Sequence, residues 1–394
     1  MSKLLDLAEA QARLLAMAVP LPVEQVPIEA AMGRYLAQDL PALRQQPAVD
    51  LSAMDGYALS GEDTSGPWRL RGESAAGHPY QGVVQKGEAC RISTGAVLPE
   101  GADWVLLQED TRREGDRLHL TGTLPHPLPR HIRRAGFDFA QGQTLLRAGQ
   151  RITPASLALA ISGGHASLPM RQRPRIAILD SGDELAPIGA PTAAHQIPAS
   201  NGAMLAAQLQ PEAGRIDRLG PVSDRMDALL AALDAASEAD VIITSGGASV
   251  GDHDLIRPAL EQWGADLAFW RVALRPGKPL MVAQKGRQII IGLPGNPVSS
   301  HVTAFLFVLP LLRALQGAEH PLPKPFYAPV ASSLPAGGER CEFLRGAWDG
   351  AVIQPNPMRD SSALAALASA NCLIERPIGA DAVQAGGLVR AYLL

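Results

Sequence analysis

The residues of this chain best suited to chemistry gather where glycines meet acids. The stretch VIITSGGASVGDHD, residues 241–254, runs from a short β-branched strand through Gly246, Gly247 and Gly251 to Asp252 and Asp254, with His253 between them. Glycines at this density let a backbone approach a ligand closely or adopt positive φ, and their exposed amides can cradle phosphate oxygens. Three further stretches share this character: SGDE with Asp183 and Glu184, RPGKP with Arg275 and Lys278, and LPGNP with Pro294, Gly295, Asn296 and Pro297. Arg275 and Lys278 offer positive charge to an oxyanion. The four acids would repel that oxyanion unless a hard cation such as Mg²⁺ lay between them. The mixture points to a phosphorylated ligand together with a divalent cation. Neither a Walker sequence nor G-x-G-x-x-G is present, which argues against an ordinary P-loop NTPase or nicotinamide enzyme. SGDE and LPGNP also read as plain turns, and His253 as a loop or helix-start residue.

Such loops act only if regular elements aim them. Short apolar strands at Arg175–Leu179, Ile216–Leu219, Val241–Thr244 and Gln288–Ile291 alternate with helices expected near 201–209, 224–236 and 298–309. This alternation predicts a mostly parallel sheet covered by helices. Ser223 or Asp224 is the expected N-cap of the second helix. Ligands of open α/β sheets bind beyond the carboxyl ends of the strands, and SGDE, SGGASVGD and LPGNP each follow a strand. RPGKP is expected to do the same after RVAL, residues 271–274. Before this region, residues 50–134 form short β-rich runs separated by glycine and proline turns, which read as a small all-β domain. A proline-rich joint at 319–329 leads into strand-like segments that predict a small C-terminal β domain. The fold class is therefore α/β plus β, in a multidomain chain. The expected boundaries are 1–49 with 135–170 as an N-terminal linker or dimerisation unit, 50–134, 171–318 and 319–394.

Composition bounds the function. The chain has 394 residues, 46% hydrophobic and 19% charged, with a formal net charge of −4. Nothing here predicts binding to nucleic acid or to a membrane surface. Asp6, Glu9 and Arg13 interrupt the apolar pattern of the first helix, against a secretory signal. The apolar run Val302–Leu312 reads as too short to span a bilayer and contains Pro310. Cys90, Cys341 and Cys372 lie far apart, so neither a zinc site nor a disulfide framework is expected, and a reducing cytoplasm fits best.

The motifs SAMDGYA, TGAVLPEGAD, SGDEL, TSGGASVGDHD, RPGKP and GLPGNPVSS, in this order, resemble those of the molybdopterin molybdenumtransferase, gephyrin-like family over essentially the whole chain. The resemblance implies an elongated homodimer of four-domain subunits whose sheet domain is a molybdopterin-binding fold. It implies insertion of molybdate into adenylylated molybdopterin with Mg²⁺-dependent release of AMP. By motif match it implies catalytic roles for Asp55, Asp138, Glu184 and Asp252, and metal ligation by Asp183, Glu184 and Asp252. Substrate binding then falls to Thr94, Ser245, Gly246, Gly247, Ser249, Gly251, Arg275, Lys278, Pro294, Gly295, Asn296 and Pro297. Expected protein partners are a molybdopterin adenylyltransferase and the enzymes that receive the cofactor. Ala199 stands where the family often has an acid, and the segment with Ser361 and Ser362 departs from the commoner serine-rich version. Two other readings remain: a molybdopterin adenylyltransferase, which shares the sheet domain, and a non-catalytic molybdopterin-binding scaffold.

Overall fold

The computed structural model describes residues 4–62, 64–246 and 255–394. Its centre is a sheet of six strands, Arg215–Val222, Arg175–Ser181, Val241–Ser245, Gln288–Leu293, Met281–Lys285 and Asp266–Trp270 in spatial order. The first four are parallel, and Met281–Lys285 pairs antiparallel with its neighbours on both sides, so it alone runs the opposite way. Alternation along the strands divides the core. Ile176, Ile178, Val241, Ile243, Ile289 and Ile291 face one apolar cluster, while Ala177, Leu179, Ile242 and Ile290 face the other. Side chains of a strand point alternately to its two faces, so a sheet covered on both sides needs unbroken apolar runs.

Three sequence expectations are corrected here. RVAL is not a strand of this sheet. The edge strand is Asp266–Trp270, and Leu274–Arg275 instead pairs in parallel with Cys341–Glu342 of the C-terminal sheet. The chain turns away at Arg271, which has a positive φ of 70°, so RPGKP lies between two sheets rather than at the end of a strand of the first. The second helix, Met226–Ala235, has Arg225 at its N-cap with no side-chain hydrogen bond, and neither Ser223 nor Asp224 caps it. The third helix does not stop before Pro310. It runs Pro297–Thr303, passes through a π-turn at Ala304–Val308 and continues as Leu309–Leu315. The proline has no amide to donate, and the wider turn absorbs that loss where the helix would otherwise break. The resulting span of 19 residues is long and apolar enough to cross a membrane by composition, yet it is 83% buried within the protein and forms the centre of the larger cluster.

That cluster also holds Ala10 and Leu14 of the first helix, Leu7–Ala16, and Phe343, Leu373 and Tyr392 of the C-terminal sheet. The β-rich segment has its own six-stranded sheet among the described residues. Its two clusters draw only on residues between Tyr57 and Ile132, with Trp68 and Trp104 edge to face at 6.1 Å.

Several buried protic groups carry a pH consequence. Burial, reinforced by Glu212, pushes Tyr35 up to about 12, and burial pushes Cys90 and Cys372 each up to about 11. A value higher in the folded than in the unfolded state contributes stability that is complete below the unfolded value and is lost as pH rises through the folded one. With unfolded values of about 8.5 for cysteine and about 10 for tyrosine, the melting temperature is expected to decline steadily between about pH 9 and 12. A melting temperature constant up to about pH 11 would contradict the burial of these groups.

Candidate functional site

Three strand ends and one helix start build the carboxyl edge of the parallel sheet. Asp180, at the end of its strand, is 5% exposed and accepts a hydrogen bond at 3.0 Å from the amide of Gly202, in the first turn of the helix Asn201–Leu209. Burial raises its carboxyl above the ordinary range. Residue 202 must be glycine for this approach, since a Cβ there would lie 2.2 Å from Asp180 Oδ2. Asn201 then donates through Nδ2 to Ser245 Oγ at 2.9 Å and to the carbonyl of Gly295 at 2.6 Å. One side chain thus ties the end of the Val241–Ser245 strand to the LPGNP loop. Gly246 continues from that strand with φ +98°, its Cβ position 2.6 Å from the carbonyl oxygen of Ser181. Alanine would be strained there both sterically and in its backbone.

The LPGNP loop is also held from the other side. Asn296 Nδ2 donates to Ser361 Oγ at 2.8 Å, and the amide of Val298 donates to the Ser361 carbonyl at 3.0 Å. Ser361 therefore joins the C-terminal domain to the sheet's edge. Between them lies a cleft of about 370 Å³ lined by Arg275, Lys278, Pro294, Asn296, Arg340, Arg359 and Ser361, among others. Arg275 and Arg359 each sit 3.4 Å from a different oxygen of Glu342, so Arg275 carries an acidic partner that its motif did not announce. Lys278 is exposed and has no ion-pair partner among the described residues. Arg345 is buried and donates to the carbonyls of Met358 and Asp360, holding the loop that presents Ser361.

On the SGDE loop, Asp183 Oδ1 accepts from the amide of Asp224 at 3.1 Å. The Asp224 carboxyl is raised first by burial and then by the negative charges of Asp183 and Glu184. Neither Asp183 nor Glu184 has an ion-pair partner among the described residues, and no three metal-binding side chains converge there on their own. Gly247, Ser249, Gly251, Asp252, His253 and Asp254 lie outside the described residues.

The remaining expected residues stand on the N-terminal half. Asp55 occupies the turn between the strands Leu51–Ser52 and Gly56–Leu59, and its Oδ1 accepts from the Thr94 amide at 2.6 Å and from Thr94 Oγ1 at 3.1 Å. The Thr94 amide, more than its hydroxyl, holds the exposed Asp55 carboxyl below the ordinary range. Asp138 is exposed in a loop whose amide donates to the Gln46 carbonyl. The structure thus brings Asp55 to Thr94, and Ser245 to Gly295 through Asn201. Among the described residues no hydrogen bond or ion pair joins Asp55, Thr94 or Asp138 to the sheet's carboxyl edge. Ala199 is buried, its amide donating to the Ala186 carbonyl. The sequence assigns no site role to Asp180, Asn201, Glu342 or Arg345, and gives Asp224 only that of a helix cap. Asn201 alone had a signal, its place in the QIPASN segment before a helix, and the others owe their position to partners distant in the chain.

With this geometry in view, comparison with known proteins gives a consistent result. Residues 5–164 match the MoeA N-terminal region (domain I and II), 177–314 a probable molybdopterin binding domain, and 327–394 the MoeA C-terminal region (domain IV). The chain is 34% identical to a molybdopterin molybdenumtransferase of Haemophilus influenzae over 94% of each chain. It is 37% identical to molybdopterin molybdenumtransferase 2 of Mycobacterium tuberculosis over 93% of this chain and 94% of that one. Its fold superposes on the molybdopterin biosynthesis MoeA protein of Pyrococcus horikoshii with a TM-score of 0.86, at 25% identity over the whole of both chains. Since the likeness runs through all the domains and includes the loops at the sheet's carboxyl edge, the chain belongs to the molybdopterin molybdenumtransferase family.

Proposed function

We propose that this protein is a transferase of molybdenum cofactor biosynthesis that inserts molybdate into adenylylated molybdopterin and releases AMP in a Mg²⁺-dependent step. One observation carries the reading: the LPGNP loop is pinned to the glycine strand end by Asn201 and to the C-terminal domain by Ser361, so the glycine turn and the cation-lined cleft share a wall. A ligand with phosphates at one end and an oxyanion-accepting group at the other requires both.

The donor set suits the metal. Asp183 and Glu184 are hard carboxylates without cationic partners among the described residues, and their charge already raises Asp224, so the site favours a hard cation. Those two residues, with Asp252, would hold Mg²⁺, which when bound offsets the phosphate charge at the bond being broken. The protein's own groups do the rest. In this reading Ser245 and the glycine turn that follows it meet the phosphate oxygens, Lys278 and Arg275 hold oxyanion charge, and Asn201 fixes the spacing between the two walls. Asp55, kept ionised by Thr94, can accept a hydrogen bond from a water or a ligand group and so orient it. We also infer a homodimer, with the adenylyltransferase and the cofactor-receiving enzymes as partners. The three free cysteines, all buried, support a reducing cytoplasmic setting.

The deciding assay supplies molybdate and adenylylated molybdopterin and measures AMP. Molybdate-dependent AMP release that chelation of Mg²⁺ abolishes is the expected result. Formation of the adenylylated pterin from ATP and molybdopterin would show the adenylyltransferase instead, and tight pterin binding with no turnover would show a scaffold. Within this reading, Lys278→Ala is expected to weaken binding of the phosphorylated pterin by about 1.5 to 3 kcal/mol, the contribution of a charge-assisted hydrogen bond. Equal affinities of wild type and variant in calorimetric titration would remove Lys278 from the site.

A further inference from the structure

The amino edge of the parallel sheet, opposite the loops discussed above, holds a second cleft, of about 590 Å³. It opens where the N-terminal segment meets the sheet, and four arginines line it: Arg34, Arg173, Arg175 and Arg287. Arg175 opens its strand and Arg287 immediately precedes another, Gln288–Leu293. With a rise of about 3.3 Å per residue, strands of this length put roughly 20 Å between this cleft and the carboxyl-edge loops.

The charges here are poorly matched. Arg175 pairs with Glu238 at 3.4 Å and, more loosely, with Asp240. Arg34 is 9% exposed and uses one terminal nitrogen for Glu24 and the Arg171 carbonyl. Its Nε is buried without an acceptor, and so is the Nε of Arg173. Neither Arg173 nor Arg287 has an ion-pair partner among the described residues. Glu24 and Asp240 are the acids on the wall, and both are engaged by arginines already named. Burial, followed by the neighbouring charge of Arg34, lowers Arg173 below the ordinary arginine value, with Glu212 acting in the opposite direction. Like-charged guanidinium groups with buried, unmet donors are costly to assemble, and a multivalent oxyanion removes that cost by accepting from several of them at once.

We propose that this cleft binds a phosphate-type tetrahedral oxyanion, free or carried on a small molecule, held by Arg34, Arg173 and Arg287. Arg34 comes from the N-terminal segment and the other two from the approach to the sheet and its hairpin, so the anion also ties these parts together. The site is independent of the reaction proposed above.

Calorimetric titration of the full-length protein with inorganic phosphate tests the proposal, with AMP in a parallel arm to separate a free from a carried phosphate. Saturable binding is expected, weakened about tenfold or more in Arg173→Gln and in Arg287→Ala and unchanged in Lys86→Ala, at an exposed lysine of the β-rich unit outside both clefts. Tighter binding of AMP with the same dependence on Arg173 would identify a phosphorylated small molecule as the occupant. Arg287 is exposed, so its alanine variant still decides the matter if Arg173→Gln does not fold. Absence of saturable binding, equal affinity in wild type and both arginine variants, or loss of binding in Lys86→Ala would overturn the proposal.

Discussion

Arg313→Ala is expected to destabilise the protein by about 3 kcal/mol or more, because it strips a buried carboxylate of its cation. Glu212 is only 2% exposed, and Arg313 Nε lies 3.0 Å from its Oε1. Gln316 Nε2 donates to the other oxygen at 3.2 Å and to the Glu212 backbone carbonyl at 3.0 Å, while the Tyr35 hydroxyl lies 3.4 Å from Oε1. These neutral donors cannot replace the lost charge. The cluster joins the N-terminal segment, the turn before the Arg215–Val222 strand and the long central helix, so the damage should reach all three. Replacing both members, Glu212→Met with Arg313→Met, is expected to cost much less than the single change, since it removes the stranded charge along with its partner. Urea unfolding measures both. A loss under about 1 kcal/mol for Arg313→Ala would mean that Glu212 is not dependent on this pair.

The second large effect is a gain. Asp55→Ala and Asp252→Ala chains are each expected to be inactive, yet a mixture that forms heterodimers should recover activity. The reasoning starts from Asp55, whose carboxylate is set by Thr94 within a β-rich unit that has its own core. No hydrogen bond or ion pair among the described residues carries it to the sheet's carboxyl edge of its own chain. In the proposed homodimer, a site formed from the β-rich unit of one subunit and the sheet of the other would use both acids. Two-fold symmetry then gives each heterodimer one site with both halves intact and one with both damaged, so roughly half of the sites return. AMP release by the mixed dimers provides the reading. Heterodimers that form but stay inactive would show that Asp55 and Asp252 act within one subunit, or that Asp55 takes no part.

How far the site could be read from sequence differs from residue to residue. Gly246 and the LPGNP loop were legible because glycine and proline restrict the backbone locally, whatever surrounds them. The motif RPGKP announces Lys278, but nothing local to it announces that Arg275 faces Glu342. Asp224 was read as a helix cap because a cap is the local role of that residue type. Its actual setting beside Asp183 depends on two loops meeting across 41 residues of chain.

The sequence by itself determined the four parallel strands of the sheet and its two covered faces, though not the edge strands Met281–Lys285 and Asp266–Trp270, because strand periodicity and the need to bury both sides act over a few neighbouring residues. It also determined that SGDE, Gly246 and LPGNP follow the strands' carboxyl ends, but not where RPGKP lies. Only the tertiary structure decided that Leu274–Arg275 joins the C-terminal sheet, that the helix carrying Pro310 continues to Leu315, and that Ser361 meets Asn296. Each of these depends on which distant segment supplies a hydrogen-bond partner or an apolar wall. That choice is made by packing of the whole chain, and no local pattern encodes it.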